Sequence, residues 1–287
     1  MRNITFENIT DTVIKSTENT SDRRLQEILT VLITKLHEFS KEVNLSHSEW
    51  EAAMGFLLRT GDISDEARNE FVLLSDLFGL SSLVDVISSH RAPEASERSV
   101  LGPFYRPGAA FLEIGGDLIK ENEGQHVVFQ GVVRNTSGEP LEGAMIDCWQ
   151  NATNGFYENM DPTQPDMNLR CRMLTNSNGQ YRFSTIKPTP YQVPDDGTGG
   201  EYMRATDRNC WRPAHLHVRV SAPGYEELVT EIFNEADAYI DSDATFGVRE
   251  SLTISYDRPA TGAEKEINAH LKEPFTMADF DFRLKSL

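Results

Sequence analysis

Residues 209–220, NCWRPAHLHVRV, carry two histidines one position apart, behind an arginine and a proline and ahead of alternating apolar residues. In an extended strand, side chains at i and i+2 share a face. His215 and His217 therefore form a fork of two imidazoles while Leu216 and Val218 take the opposite face. Such a fork is either a pair of metal ligands or a pair of buried, hydrogen-bonded core histidines. Two donors do not complete a metal site, so the flanking loops matter. The other histidines (His37, His47, His90, His126 and His270) lie outside those loops, which hold no cysteine-rich or Glu-x-x-His arrangement. Asp195, Asp196 and Glu201 in the preceding loop leave a two-histidine, one-carboxylate ferrous centre open. The same loops present Tyr157 in NGFYEN and Tyr191 in KPTPYQVPDDG. Taken singly, each tyrosine reads as an aromatic packing group with its hydroxyl on a backbone carbonyl. Taken with the fork, two hard phenolate oxygens and two neutral imidazoles suit a ferric ion.

A strand-borne fork needs a sheet behind it, and the chain changes its grammar to supply one. From Asp22 to about Ser89 the pattern is helical. Leu25, Ile28, Leu29, Leu32, Ile33, Leu36 and Phe39 recur at three- and four-residue steps, and Ser48 with Glu51 reads as a capping box before a second helix. A third helix is expected from about Asp65 to Gly79, and a short fourth from Leu80 to Ile87. No polar chemistry clusters on these helices, which reads as a bundle for packing or dimerisation. After a Pro- and Gly-punctuated link, HVVFQGVVRN, AMIDCWQN, GQYRFSTI, AHLHVRVSA, LVTEIFN and SLTISYD read as short strands separated by turns. The expected class is α+β by content: a helical domain over 1–100, then a β-sandwich over 101–287. The stretches 151–178 and 188–212 read as long irregular loops, the usual place for function on such a scaffold.

Composition narrows the partners. With 39% hydrophobic and 25% charged residues the chain can bury a proper core, and a net charge of −18 repels phosphate backbones and anionic headgroups. Nucleic-acid and membrane-surface partners are thereby disfavoured. No basic and apolar leader opens the sequence and no stretch is apolar enough to span a bilayer, so a cytoplasmic protein is expected. Cys148, Cys171 and Cys210 are odd in number and widely spaced, which argues for reduced thiols rather than a disulfide framework.

Four stretches then carry a resemblance: RSVLGPFYRPGA, GVVRNTSGEPLEGAMIDCWQNATNGFYE, GQYRFSTIKPTPYQVPDDG and RPAHLHVRVSAPGYEELVT. The chain resembles the intradiol ring-cleavage dioxygenases, non-haem ferric enzymes that open catechols between the two hydroxyl-bearing carbons. Over essentially the whole chain, the resemblance implies one Fe(III) per subunit held by Tyr157, Tyr191, His215 and His217. It implies Arg212 as the cation beside the bound ring, and Tyr191 as a ligand that also takes a proton from the diol. It further implies N-terminal helices that form a homodimer interface and hold a phospholipid there. Within the family, GEYMRATDRNCWRPAHLH and YIDSDATFGVRESL resemble the members that act on hydroxyquinol and yield maleylacetate through 3-hydroxy-cis,cis-muconate. The substrate pocket maps onto Val100, Leu101, Gly102, Pro103 and Phe104 and onto the helical turn at Asp85. There Asp85 would accept a hydrogen bond from the third hydroxyl or stand on the solvent face of its helix. Glu231 stands where the catechol enzymes usually have glutamine; a carboxylate beside a dianionic ring is repulsive unless protonated or paired, with Arg212 as the candidate partner, so either Glu231 turns away or the enzyme prefers a substrate with an unusual substituent. The alternatives are a catechol or chlorocatechol 1,2-dioxygenase giving cis,cis-muconates, and a non-catalytic β-sandwich binding module.

Overall fold

Three-and-four periodicity builds helices first and β-branched runs build strands after them. In the computed structural model, which describes residues 3–65, 68–120 and 122–287, the chain opens with α1 (Ile9–Ser16), α2 (Arg23–Glu42), α3 (His47–Asp62), α4 (Glu70–Leu77) and α5 (Leu80–His90). Then come β1 (Gly116–Asp117), β2 (His126–Asn135), β3 (Met145–Trp149), β4 (Arg170–Leu174), β5 (Gln180–Ile186) and β6 (Tyr191–Gln192). Helix α6 (Thr198–Ala205) precedes β7 (Trp211–Arg212), β8 (His215–Ser221), β9 (Leu228–Asn234), β10 (Thr253–Ile254) and β11 (Arg258–Pro259). Helix α7 (Gly262–Ile267), β12 (Phe275–Asp279) and β13 (Phe282–Leu284) close the chain.

The chain divides into two compact units, Met1–Arg59 and Thr60–Leu287. In the first, α1 packs on α2, with His37 Nδ1 3.0 Å from the Thr10 hydroxyl. Helix α2 starts where the Asp22 carboxylate accepts from the backbone N–H of Arg24 and Leu25. The capping box expected at Ser48 and Glu51 lies two residues earlier. Ser46 accepts from the Glu49 N–H, and the Glu49 carboxylate accepts from the Ser46 N–H. Leu25, Ile28, Val31, Leu32, Leu36 and Phe39 of α2 are all exposed. The helix expected from Asp65 runs through residues 66 and 67, which lie outside the described residues, and α4 begins at Glu70 behind the N-cap Asn69.

The second unit holds α4, α5 and two facing sheets. One sheet has the order β10-β9-β8-β3-β4; the other has β1-β5-β2-β12-β11, with β13 also pairing β2. Val127, Phe129 and Phe183 of one sheet share a buried core with Ile146, Cys148, Val218 and Ile232 of the other, so the fold is a β-sandwich with helices. The pleat then sends His215, His217, Trp149 and Arg170 to the face of their sheet opposite the core. Four elements stand inside the expected loops. Strand β4 rises within 151–178, and β6, α6 and β7 within 188–212. Helix α6 has no side-chain cap of its own; the buried Glu70 of α4 reaches across to accept from the Gly199 N–H at 2.8 Å. No single helix among the described residues is long and apolar enough to cross a membrane.

Candidate metal centre

Strand β8 lies between β3 and β9, so the fork sits on backbone held from both sides. Both imidazoles are buried and their Nε2 atoms face one another at 3.2 Å. His215 Nδ1 lies 2.7 Å from the Pro213 carbonyl, which only accepts, so Nδ1 carries the proton and Nε2 keeps its lone pair. The His217 ring lies flat on the Trp149 indole, 4.8 Å between centroids and 5° between planes. Gly102 covers it: a Cβ there would stand 3.3 Å from His217 Cε1, and the residue's φ of 68° also favours glycine. Burial, then the charge of Arg212, lowers the His215 pKa; burial, then His215 and Arg212, holds His217 well below the ordinary value. Both rings are therefore neutral at neutral pH, the state that ligates metal.

The two tyrosines arrive from irregular backbone. Tyr157 lies in the loop between β3 and β4, and Tyr191 opens β6, directly opposite Arg212 of β7. Their rings meet edge-on at 5.6 Å; Tyr191 stands 5.6 Å from His215, and Tyr157 6.1 Å from His217. Phe104 stacks on Tyr157 at 4.5 Å. The Tyr157 hydroxyl is buried with no hydrogen-bond partner among the described residues, a condition that costs about 1–3 kcal/mol unless something satisfies it. Burial pushes the Tyr191 pKa up to about 12 and Tyr157 well above its ordinary value. All four expected ligands thus stand together.

Beside them Arg212 is clamped by two carboxylates. Its Nη1 and Nη2 donate to Glu231 Oε1 and Oε2 at 2.5 and 3.0 Å, and its Nε donates to Asp243 Oδ1 at 3.0 Å. Glu231 is thus paired with Arg212, the partner named for it. Burial works to raise the Glu231 and Asp243 carboxyls, but Arg212, together with the neighbouring hydrogen-bond donors and, for Glu231, His215, outweighs it, and both stay below their ordinary values. The Ser99 hydroxyl closes the arrangement, 2.7 Å from Glu231 Oε2 and 2.8 Å from the Gly247 carbonyl. A Cβ on Gly247 would come within 2.8 Å of both Arg212 Nη2 and Glu231 Oε2, so only glycine leaves room for the Arg212–Glu231 pair. Ser99, Asp243 and Gly247 carry no spacing signal in the sequence. The carboxylates considered for a ferrous centre stand elsewhere: Asp195, Asp196 and Glu201 are exposed, and Asp196 pairs with Arg68. His215, His217 and Glu231 do present donors within 4.8 Å of one another. However, both Glu231 oxygens are already engaged by Arg212, and Oε2 also by Ser99.

A cleft of about 590 Å³ opens beside the fork, walled by Val100, Leu101, Gly102 and Pro103 on one side and by α4 and α5 on the other. Phe104 lies behind Tyr157 and Glu231 lies under Arg212, both buried and neither on the cleft wall. Asp85 is half-buried on the wall, 3.8 Å from Arg98 Nε. The helices therefore do contribute polar groups, contrary to their bland reading. Asp76 of α4 lines the same cleft, is 2% exposed, and feels the charges of Arg212 and Glu231. Burial raises both Asp76 and Asp85 to a pKa of about 6.

The sequence matches the model of a family described as "Dioxygenase" over residues 101–286 and one described as "Catechol dioxygenase N terminus" over residues 22–96. The chain belongs to the intradiol dioxygenase family. Among its relatives in that family, a hydroxyquinol 1,2-dioxygenase of Rhizobium sp. (strain MTP-10005) is 41% identical over 96% of this chain and 93% of that protein. A 6-chlorohydroxyquinol 1,2-dioxygenase of Cupriavidus pinatubonensis is 37% identical over 96% of each. The solved structure of hydroxyquinol 1,2-dioxygenase from Pseudomonas putida DLL-E4 superimposes with a TM-score of 0.87 at 38% identity, covering 98% of this chain and 99% of that one. Intradiol dioxygenases are iron-dependent enzymes that act on aromatic diols with dioxygen, and the helices-then-sandwich architecture described above is theirs.

Proposed function

We propose that this chain cleaves hydroxyquinol, 1,2,4-trihydroxybenzene, between its adjacent hydroxyl-bearing carbons with dioxygen, giving maleylacetate through 3-hydroxy-cis,cis-muconate. The observation that carries the chemistry is the convergence of two neutral imidazoles and two buried phenols, with the Tyr157 hydroxyl left without a hydrogen-bond partner among the described residues. Hard phenolate oxygens and borderline imidazole nitrogens fit Fe(III), one per subunit, held by Tyr157, Tyr191, His215 and His217. When bound, the ferric ion supplies a Lewis acid and template that chelates the diol and opens its ring to reaction with triplet dioxygen. The chain's own residues do the rest. Tyr191 Oη takes one of the two protons that the diol gives up. Arg212, fixed by Glu231 and Asp243, offers a preorganised positive charge to the ring as negative charge develops on it. Gly102 leaves room for the His217 ring, Val100, Leu101 and Pro103 shape the apolar wall, and Phe104 backs Tyr157.

The hydroxyquinol preference rests on relatives of that activity and on the acidic wall of the cleft. Asp76 and Asp85 both face the cleft, and the deeper Asp76 is the better acceptor for the third hydroxyl, because a buried carboxylate gains more from a single donor. Residues 1–100 serve as a dimerisation domain whose α4 and α5 also wall the cleft, and 101–287 as the catalytic domain; the change of family model between residues 96 and 101 supports this boundary, although the compact units divide at residue 60. The apolar residues exposed along α2 suit a homodimer interface with a bound phospholipid. Oxygen uptake with hydroxyquinol, catechol and chlorocatechol as sole substrates tests the preference. Hydroxyquinol is expected to give the highest kcat/KM by at least about tenfold, the scale of one well-placed hydrogen bond; a higher value for catechol contradicts it.

A further inference from the structure

The two histidines of the fork are oriented by different means. His215 donates from Nδ1 to a carbonyl. His217 Nδ1 is buried without a hydrogen-bond partner among the described residues, 3.5 Å from Glu231 Oε1. Its ring plane is set instead by a stack, with the Trp149 indole on one face and the Gly102 backbone close to Cε1. Strand register explains why Trp149 is there. Arg170 of β4, Trp149 of β3, His217 of β8 and Glu231 of β9 stand directly opposite one another in sequence across the sheet. Directly opposed residues share a face and touch, so these four make one cross-strand row.

The row also reaches the phenol side. Arg170 Nε donates to Glu158 Oε2 at 2.7 Å, and Glu158 is the residue next to Tyr157. The other Glu158 oxygen accepts from Arg106 Nη1 at 2.7 Å, and the Arg170 and Glu158 side chains are each 1% exposed. A buried carboxylate bridging two guanidiniums fixes its backbone, since freeing either partner leaves a charge without compensation. Elsewhere the Tyr157 loop has no regular structure to hold it.

We propose that Trp149 and Arg170 are positioning residues of the centre: Trp149 sets the ring plane of His217, and Arg170, through Glu158, holds the loop that presents Tyr157. The proposal rests on the ligand set assigned above. It is tested with Trp149→Phe, Trp149→Leu and Glu158→Gln, each prepared metal-free and then reconstituted with ferric iron below its own unfolding midpoint. The measurements are ferric affinity by chelator competition and the position of the tyrosinate-to-iron absorption band. Trp149→Phe keeps the stack and is expected to bind iron within a few-fold of the parent. Trp149→Leu loses the stack and is expected to bind about 10–100-fold more weakly, the usual effect of removing a group that orients a ligand. Glu158→Gln is expected to shift or broaden the band while the histidine side stays intact. A folded Trp149→Leu with parental affinity, or a Trp149→Phe as weak as Trp149→Leu, overturns the role of the stack. If Trp149→Leu does not fold, the Phe variant decides: weakened iron binding in a folded Trp149→Phe overturns it and parental binding upholds it. An unmoved band in Glu158→Gln overturns the role of Arg170. Absence of the band from the parent protein defeats the ligand assignment instead, and so separates the two failures.

Discussion

Two histidines and two tyrosines meet at one place on different kinds of backbone. The histidines stand on β8, a strand bonded to a neighbour along both edges. The tyrosines stand on a loop and on a two-residue strand, held by Phe104, by Glu158 and by the pairing of Tyr191 with Arg212. A strand with both edges paired fixes direction closely, whereas a loop can yield while the rest of the fold stays put. The difference matches the division of labour proposed here, with permanent nitrogen donors on the rigid side and a proton-accepting phenol on the side that can move.

The largest expected effects sharpen that comparison directly. His217→Ala removes a donor that nothing else on β8 replaces, and purified protein is expected to retain no iron after dialysis. Tyr157→Phe is expected to keep the fold and lose the visible band; an unchanged spectrum would show that this residue is not a ligand. Next is Arg212→Met, predicted to retain iron while kcat falls by about 10²–10³, the scale of a lost preorganised donor. The same change leaves Glu231 and Asp243 buried and unpaired, a loss of about 3–5 kcal/mol in denaturant titration. Full turnover in that variant would break the account of the clamp.

A smaller effect is expected at the cleft wall. Asp76→Asn should lower the hydroxyquinol-to-catechol ratio of kcat/KM by roughly 10- to 100-fold, as for a lost hydrogen bond to a charged group. Asp85→Asn should change it less, because Asp85 is the shallower of the two and already has Arg98 beside it. The reverse ranking would assign the third hydroxyl to Asp85. The smallest effect concerns pH. Burial raises Asp76 from 3.8 to about 6, so between about pH 4 and 6 the folded chain keeps a proton that the unfolded chain has released. Stability from this group is therefore full below pH 4 and lost as pH rises through 6. Asparagine mimics the protonated form, so the gap in urea midpoint between Asp76→Asn and the parent should move in the variant's favour from pH 4 to pH 7. An equal gap at both ends would contradict it.

Much of this was legible in residue order because the informative residues carry local patterns. Strands β2 and β9 coincide with the β-branched runs HVVFQGVVRN and LVTEIFN, and the fork is readable because strand geometry alone places i and i+2 together. Arg170-Cys171-Arg172 has the period-two alternation of a strand but reads as having a solvent-facing charged side, whereas Arg170 is a buried residue through Glu158. Helix α6 begins Thr198-Gly199-Gly200, a poor helical start whose cap comes from Glu70, more than a hundred positions away. Asp76 is masked by the apolar run around it, and its position over the cleft is a tertiary fact. Ser99 and Asp243 act only through Glu231 and Arg212, which meet them after folding.

The most direct test of the central claim is the visible spectrum of the iron-reconstituted protein before and after anaerobic addition of hydroxyquinol. A broad tyrosinate-to-iron band at roughly 400–600 nm that shifts on addition is the predicted result, as for iron held by phenolate. A protein that stays colourless with iron bound would contradict the phenolate ligands and the reaction built on them.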